Sequence, residues 1–269
     1  MHKTLEGKSV LVTGSSRGIG RGIAVRLAER GARVCVNYRQ DEDAARHTLA
    51  AVERAGSTGF IVQADVSRRE DVAMLATRVQ EQFGTLDVYV SNALGNLLGF
   101  LSPPFIVSLA QFDEAFACQA RAFFMGVQAL NGLMRDAGRI IALSYWPGSH
   151  LGGFQPYFAM GANKAAVEAM CRYYAVALAR RGITVNAVCA GLTDDSIVNQ
   201  LPPPARDALL GRLRDGWTPM GRPGTPADIG GAVAALCGDD AAWITGQTIV
   251  ADGGASLMSP EAPLDFQRA

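Results

Sequence analysis

Tyr157 and Lys164 stand seven positions apart in the stretch SYWPGSHLGGFQPYFAMGANK, residues 144–164. On a helix of about 100° per residue, seven steps return two side chains to nearly the same face, roughly 10 Å apart along the axis. A phenol and an ammonium group so placed can look into one pocket, the first as a donor and the second as a fixed positive charge. Pro156 suits a first helical position, where its missing N–H costs nothing, and the small-residue run AMGANKAAVEA continues the helix. The sequence therefore puts Tyr157 on the opening turn and Lys164 two turns in. Ser144 and Tyr145 precede them at the end of an apolar strand-like run, where a substrate would be flanked; an ordinary strand-end hydroxyl and a ring packed under a loop are the plain alternatives. His150, in Gly-rich surroundings, reads as a surface residue.

Such a site needs a holder. Gly14, Ser16, Arg17, Gly18, Ile19 and Gly20 lie in TGSSRGIG, between the apolar run KSVLVTG and a helical pattern closed by Gly31. A tight glycine turn at a strand–helix junction exposes helix N-terminal amides to a phosphate, which makes this a dinucleotide site. The next strand ends Val36, Asn37, Tyr38, Arg39, with no carboxylate for a ribose 2′-hydroxyl. Arg17 and Arg39 could instead pair with a 2′-phosphate, so NADP, as NADPH, is favoured over NAD. Asp65, followed by Val66 in QADVS, can bond the adenine or simply start a helix.

Strand and helix patterns then alternate along the chain. Strands are predicted at residues 32–38, 59–63, 86–90, 139–143, 184–188 and 247–251, and helices at 41–54, 68–83, 111–134 and 226–237. Strands apolar on both faces imply a single-domain, Rossmann-like α/β fold, residues 1–269, with a doubly wound parallel sheet and helices on both faces. The irregular stretch 191–225, with LPPPARD and several glycines, reads as a mobile lid. Basic and acidic residues balance at 25 each with no long single-sign block, which gives no support to a nucleic-acid or anionic-membrane partner, and none is expected. Cys35, Cys118, Cys171, Cys189 and Cys237 are dispersed without metal-ligand spacing and are expected as reduced core residues, with no metal site. No run is apolar enough to span a bilayer, so a cytoplasmic protein is expected.

TGSSRGIG, SNA at Ser91 to Ala93, the Tyr/Lys helix, ITVNAV at 183–188 and ITGQTIVADGG at 244–254 together resemble the short-chain dehydrogenase/reductase superfamily over about residues 7–257. That resemblance implies cofactor contacts from Asn92, Lys164 and Gly191, and a homodimer or homotetramer built on the long helices. The departures are informative. Members usually carry Tyr four residues before the Lys, where this chain has Met160; the usual Asn of the fourth helix is Gln119; the usual Pro-Gly after the sixth strand is Ala190-Gly191. A Tyr seven residues before the Lys is similar to the enoyl-acyl-carrier-protein reductases of the FabL/FabI type, enzymes of fatty acid biosynthesis.

The displaced phenol has a chemical reason. Carbonyl reduction needs its acid beside the carbon that receives hydride. Reduction of an α,β-unsaturated thioester sends hydride to the β-carbon and gathers charge on a more distant oxygen, so its donor must stand further out. The shift from Met160 to Tyr157 supplies about one helical turn. The expectation is an NADPH-dependent reductase of a carbon–carbon double bond conjugated to a thioester, carried on acyl carrier protein or coenzyme A. Here Tyr157 bonds the thioester oxygen and Lys164 the nicotinamide ribose. Trp146, Phe154, Phe158 and Met160 would wall the acyl chain or complete the core. Two readings compete with it: a carbonyl or enone reductase of specialised metabolism, and a non-catalytic NADP-binding protein.

Overall fold

The computed structural model describes residues 4–95, 102–145, 153, 156–195 and 198–258. Within them runs a seven-stranded sheet, all parallel, in the order β3-β2-β1-β4-β5-β6-β7. Its strands are β1 Ser9–Val12, β2 Arg33–Tyr38, β3 Gly59–Gln63, β4 Leu86–Ser91, β5 Met134–Tyr145, β6 Thr184–Ala190 and β7 Thr248–Ala251. The helices are α1 Gly18–Glu29, α2 Glu42–Arg54, α3 Arg69–Phe83, α4 Leu109–Phe116, α5 Ala122–Leu130, α6 Phe158–Leu178, α7 Pro203–Arg212 and α8 Pro226–Cys237.

Val10, Leu11 and Val12 are all fully buried, which explains why these strands read as unbroken apolar runs. Val10 and Val12 pack with Ile23 and Leu27 of α1 and Ile229 of α8 on one face. Leu11 points the other way, to Leu75 of α3, Phe123 of α5 and Val167 of α6. All five cysteines are buried. Among the described residues no helix is long and apolar enough to cross a membrane. Strand order reverses between β1 and β4, so the carboxyl ends of those strands splay into a crevice.

The observed elements depart from expectation in three places that matter to the site. The helix expected over 111–134 is α4 and α5 joined by a π-turn, Ala117–Arg121, and Met134 already belongs to β5. The irregular stretch 191–225 contains α7, whose first residue is Pro203; a proline there loses no hydrogen bond, so LPPPARD opens a helix. Tyr157 is the N-cap of α6, not a residue of its first turn, with φ −103° and ψ 18°. Its carbonyl accepts from the Gly161 amide at 2.7 Å while its backbone bridges to Ser102, so the helix cannot begin before Phe158.

Candidate active site

The glycine turn is built by close approach to β4. Gly14 has φ +61°, and a Cβ there would lie 2.6 Å from the Ala93 Cα; a Cβ on Gly20 would lie 2.3 Å from the Gly14 carbonyl oxygen and 2.5 Å from Asn92 Nδ2. The expected cofactor residue Asn92 donates through Nδ2 to the carbonyls of Thr13 (2.9 Å) and Gly14 (3.1 Å), so its side chain locks the turn. Gly18 and Ile19 open α1 with Gly20, where first-turn amides have no partner within the helix. Arg17 is the exposed N-cap, and the Ser16 carbonyl accepts from Arg21 and Thr48. This cradle has no room for side chains and fits a pyrophosphate.

Asn37, which in the sequence is only a missing acid, is a buried cross-link. Its Oδ1 accepts from the Gly14 amide at 3.0 Å, and its Nδ2 donates to the Ala64 carbonyl at 3.1 Å, a donation no carboxylate could make. Beyond it opens a cleft of about 460 Å³ lined by Arg39, Gln40, Gln63, Asp65, Arg68 and Asp71. Arg39 stands 3.9 Å from Asp65 and Arg68 3.8 Å from Asp71, longer than hydrogen bonds, so both half-exposed guanidinium groups are available to a phosphate. Arg68 carries no signal of this in the sequence, where it looks like an ordinary residue at a helix start. Asp65 does not cap α3, whose N-cap is Arg68; its Oδ1 closes a turn ahead of the helix, accepting from the Ser67 amide (3.0 Å) and hydroxyl (2.7 Å). The Val66 side chain is buried with Val72 and Ala122, and Val66 does not line the cleft. Gly191 follows β6, its amide bonded to the Ala251 carbonyl at 3.0 Å.

Lys164 is buried at the carboxyl end of the sheet. Its Nζ donates to the Leu143 carbonyl at 2.6 Å and to Gln119 Oε1. Burial lowers its pKa to about 8. An ammonium has three N–H groups, so one remains for a ligand. Gln119 in turn donates to the Ala93 carbonyl, joining the ends of β4 and β5 through the lysine.

Tyr157 is 4% exposed and packs with Ala115, Cys118 and Met160. Its ring meets that of Tyr145 edge to face, with centroids 5.2 Å apart. Burial raises both phenols, Tyr145 to about 12 and Tyr157 further, with each ring's neighbours adding to the rise. At neutral pH both are O–H donors. Met160 is fully buried and offers no proton at the position four residues before the lysine. Phe158 is 40% exposed beside Phe112. Trp146, His150 and Phe154 lie outside the described residues.

Ser144 differs from its expected role. It faces α6, the opposite side of β5 from Leu143, and its hydroxyl donates to the buried carboxylate of Glu168, one turn beyond Lys164. Lys164 and Glu168 thus grip consecutive β5 residues, and Ser144 is a strut of that grip. Residue spacing carries no sign of it, because strand alternation alone does not say which face holds the ligand.

Comparison with known proteins gives the arrangement its lineage. Residues 14–256 match the family described as enoyl-(acyl carrier protein) reductase. The chain is 43% identical over 258 residues to 1-cyclohexenylcarbonyl-CoA reductase of Streptomyces collinus, covering 93% of this chain and 87% of that one. The angucycline C-6 ketoreductase LanV, solved with bound NADP, superposes with a TM-score of 0.84 at 36% identity, over 95% of this chain and 98% of that one. LugOII, a promiscuous reductase that catalyses keto-reduction at C1 in lugdunomycin biosynthesis, gives 0.85 at 36% identity, over 94% and 99%. The chain therefore belongs to the short-chain dehydrogenase/reductase superfamily of oxidoreductases.

Proposed function

We propose that the protein is an NADPH-dependent reductase of a carbon–carbon double bond conjugated to a coenzyme A thioester. The observation that supports this reading is that Tyr157 caps α6 seven residues before the buried Lys164, while the nearer position holds the buried, aprotic Met160. When bound, NADPH supplies hydride. Lys164 would hold its ribose with the remaining N–H. Tyr157, kept protonated by burial, would donate to the thioester oxygen as charge gathers there, and Tyr145 would hold the Tyr157 ring in place. The segment 191–225, leaving the sheet at Gly191, would close over the acyl group.

The relative from Streptomyces collinus favours coenzyme A over acyl carrier protein as carrier, and a cyclic enoyl group among acyl groups. LanV, with its bound NADP, and the two guanidinium groups of Arg39 and Arg68 in the cleft favour NADPH. A homodimer or homotetramer remains part of the proposal, through exposed Phe124 of α5 and Tyr173 and Val176 of α6. Ketone reduction is the second reading, favoured by the likeness to LanV and LugOII.

Purified protein with NADPH should consume the reduced nicotinamide on adding crotonyl-CoA or 1-cyclohexenylcarbonyl-CoA, and not on adding a β-ketoacyl-CoA or an aromatic polyketide ketone. Consumption with ketones alone would transfer the assignment to the second reading. Arg39→Ala should weaken NADPH about 10- to 100-fold, as expected for about 1.5–3 kcal/mol in a bond to a charged group, with NADH nearly unaffected; Kd values for both nucleotides from fluorescence titration check this.

A further inference from the structure

We propose that Asn163 is a positioning residue for Lys164: its carboxamide props open the π-turn of the neighbouring helix and so brings Gln119 against the ammonium group. This rests on the reading of Lys164 as a cofactor-holding group.

Asn163 is fully buried and immediately precedes Lys164 in α6. Its Oδ1 accepts from the Ala120 amide at 2.9 Å and its Nδ2 donates to the Ala115 carbonyl. Those two backbone groups are five residues apart, the spacing of a π-helical bond, so the carboxamide stands across the one pair that would otherwise close on itself. Only an amide both donates and accepts at that reach. An extra residue in the turn offsets the helix register by one position, about 100°. Gln119 lies inside the widened turn, and its side chain spans from the Ala93 carbonyl to Lys164 Nζ. In an unbroken helix it could not face both. Asn163 and Lys164 therefore hold the π-turn from one helix, the first by its backbone and the second by the Gln119 side chain it presents.

Gln119 Oε1 accepts from the charged form of Lys164 and so favours it; without it, burial acts unopposed by that bond. The titratable groups around the ammonium are Glu168 on its own helix, Cys118 on the π-turn and Cys189 on β6. None of these is changed by the variants below.

The test follows NADPH binding by nucleotide fluorescence, and kcat with crotonyl-CoA, from pH 6 to 10. Gln119→Leu should move the alkaline limb down by about one pH unit, roughly tenfold in affinity or rate at a fixed pH on the limb. Gln119→Glu should move it up. Asn163→Ala should reproduce the Gln119→Leu shift, and the two together should shift it no further. Thermal unfolding monitors folding; if Asn163→Ala does not fold, Asn163→Ser, which keeps one of the two bonds, replaces it. An unchanged limb in a folded Asn163 variant, or additive shifts in the double variant, overturns the proposal. Lys164→Met separates the two layers: if it leaves NADPH binding and its pH dependence unchanged, the reading of the lysine fails, whereas an effect there with a silent Asn163 rejects the positioning role alone.

Discussion

Tyr157→Phe should lower kcat with an enoyl-CoA about 10²- to 10³-fold, the typical loss when one preorganised donor to a developing oxyanion is removed. NADPH affinity should stay within about twofold, because the glycine turn of Gly14, Gly18 and Gly20 follows β1, two strands from β5, and does not include Tyr157. The fold should survive as well. The ring keeps its edge-to-face partner Tyr145 and its contacts with Ala115, Cys118 and Met160. The controlling measurement is a paired one, kcat beside NADPH Kd. If the Tyr157→Phe variant turns over as fast as wild type, the phenol does not serve the oxygen and the displaced-donor mechanism is lost. Restoring a phenol nearer the lysine with Met160→Tyr in that background should raise ketone reduction relative to enoyl reduction.

Lys164→Met should abolish turnover to within about a thousandth of the original and weaken NADPH at least tenfold, yet leave thermal stability little changed. Two opposing effects set that balance. Removing the ammonium leaves Gln119 Oε1 and the Leu143 carbonyl without their donor, at about 1–3 kcal/mol for each buried group. Against this, a lysine whose pKa falls from 10.5 to about 8 on folding burdens the native state by roughly 3 kcal/mol at neutral pH. The sign is explicit: between pH 8 and 10.5 the unfolded chain holds the proton and the folded one releases it, so stability rises with pH across that window. Activity should fall over the same window, since the neutral amine is a poorer holder of the cofactor. Unfolding measured against pH for wild type minus Lys164→Met isolates the lysine from the buried thiols and phenols. A difference that is flat from pH 8 to 10.5 would mean the ammonium is not desolvated.

The parallel sheet was readable from residue pattern because its strands are buried on both sides; Val10, Leu11 and Val12 carry the signal alone. The glycine turn was readable because its glycines stand where close approach leaves no room for a side chain, as at Gly14 and Gly20. The π-turn at Ala117–Arg121 was not, since ACQAR has the composition of ordinary helix and its cause, Asn163, is more than forty residues away. The face of Ser144 was hidden for the same reason. It is fixed by Glu168, a charged residue that periodicity alone assigns to solvent, yet which is 1% exposed. The offset of Tyr157 from its helix depends on a bridge to Ser102, a pairing across 55 positions that no local window contains.

Because Tyr157 stands at the N-cap and is bridged through its backbone to Ser102, its hydroxyl takes its bearing from that bridge and from the packing of its ring, not from α6 alone. Acyl groups of awkward girth would then still be captured, since the nucleotide half is untouched, but would find the proton misaimed. Discrimination among such compounds would show in how fast they are converted, far more than in how tightly they are held.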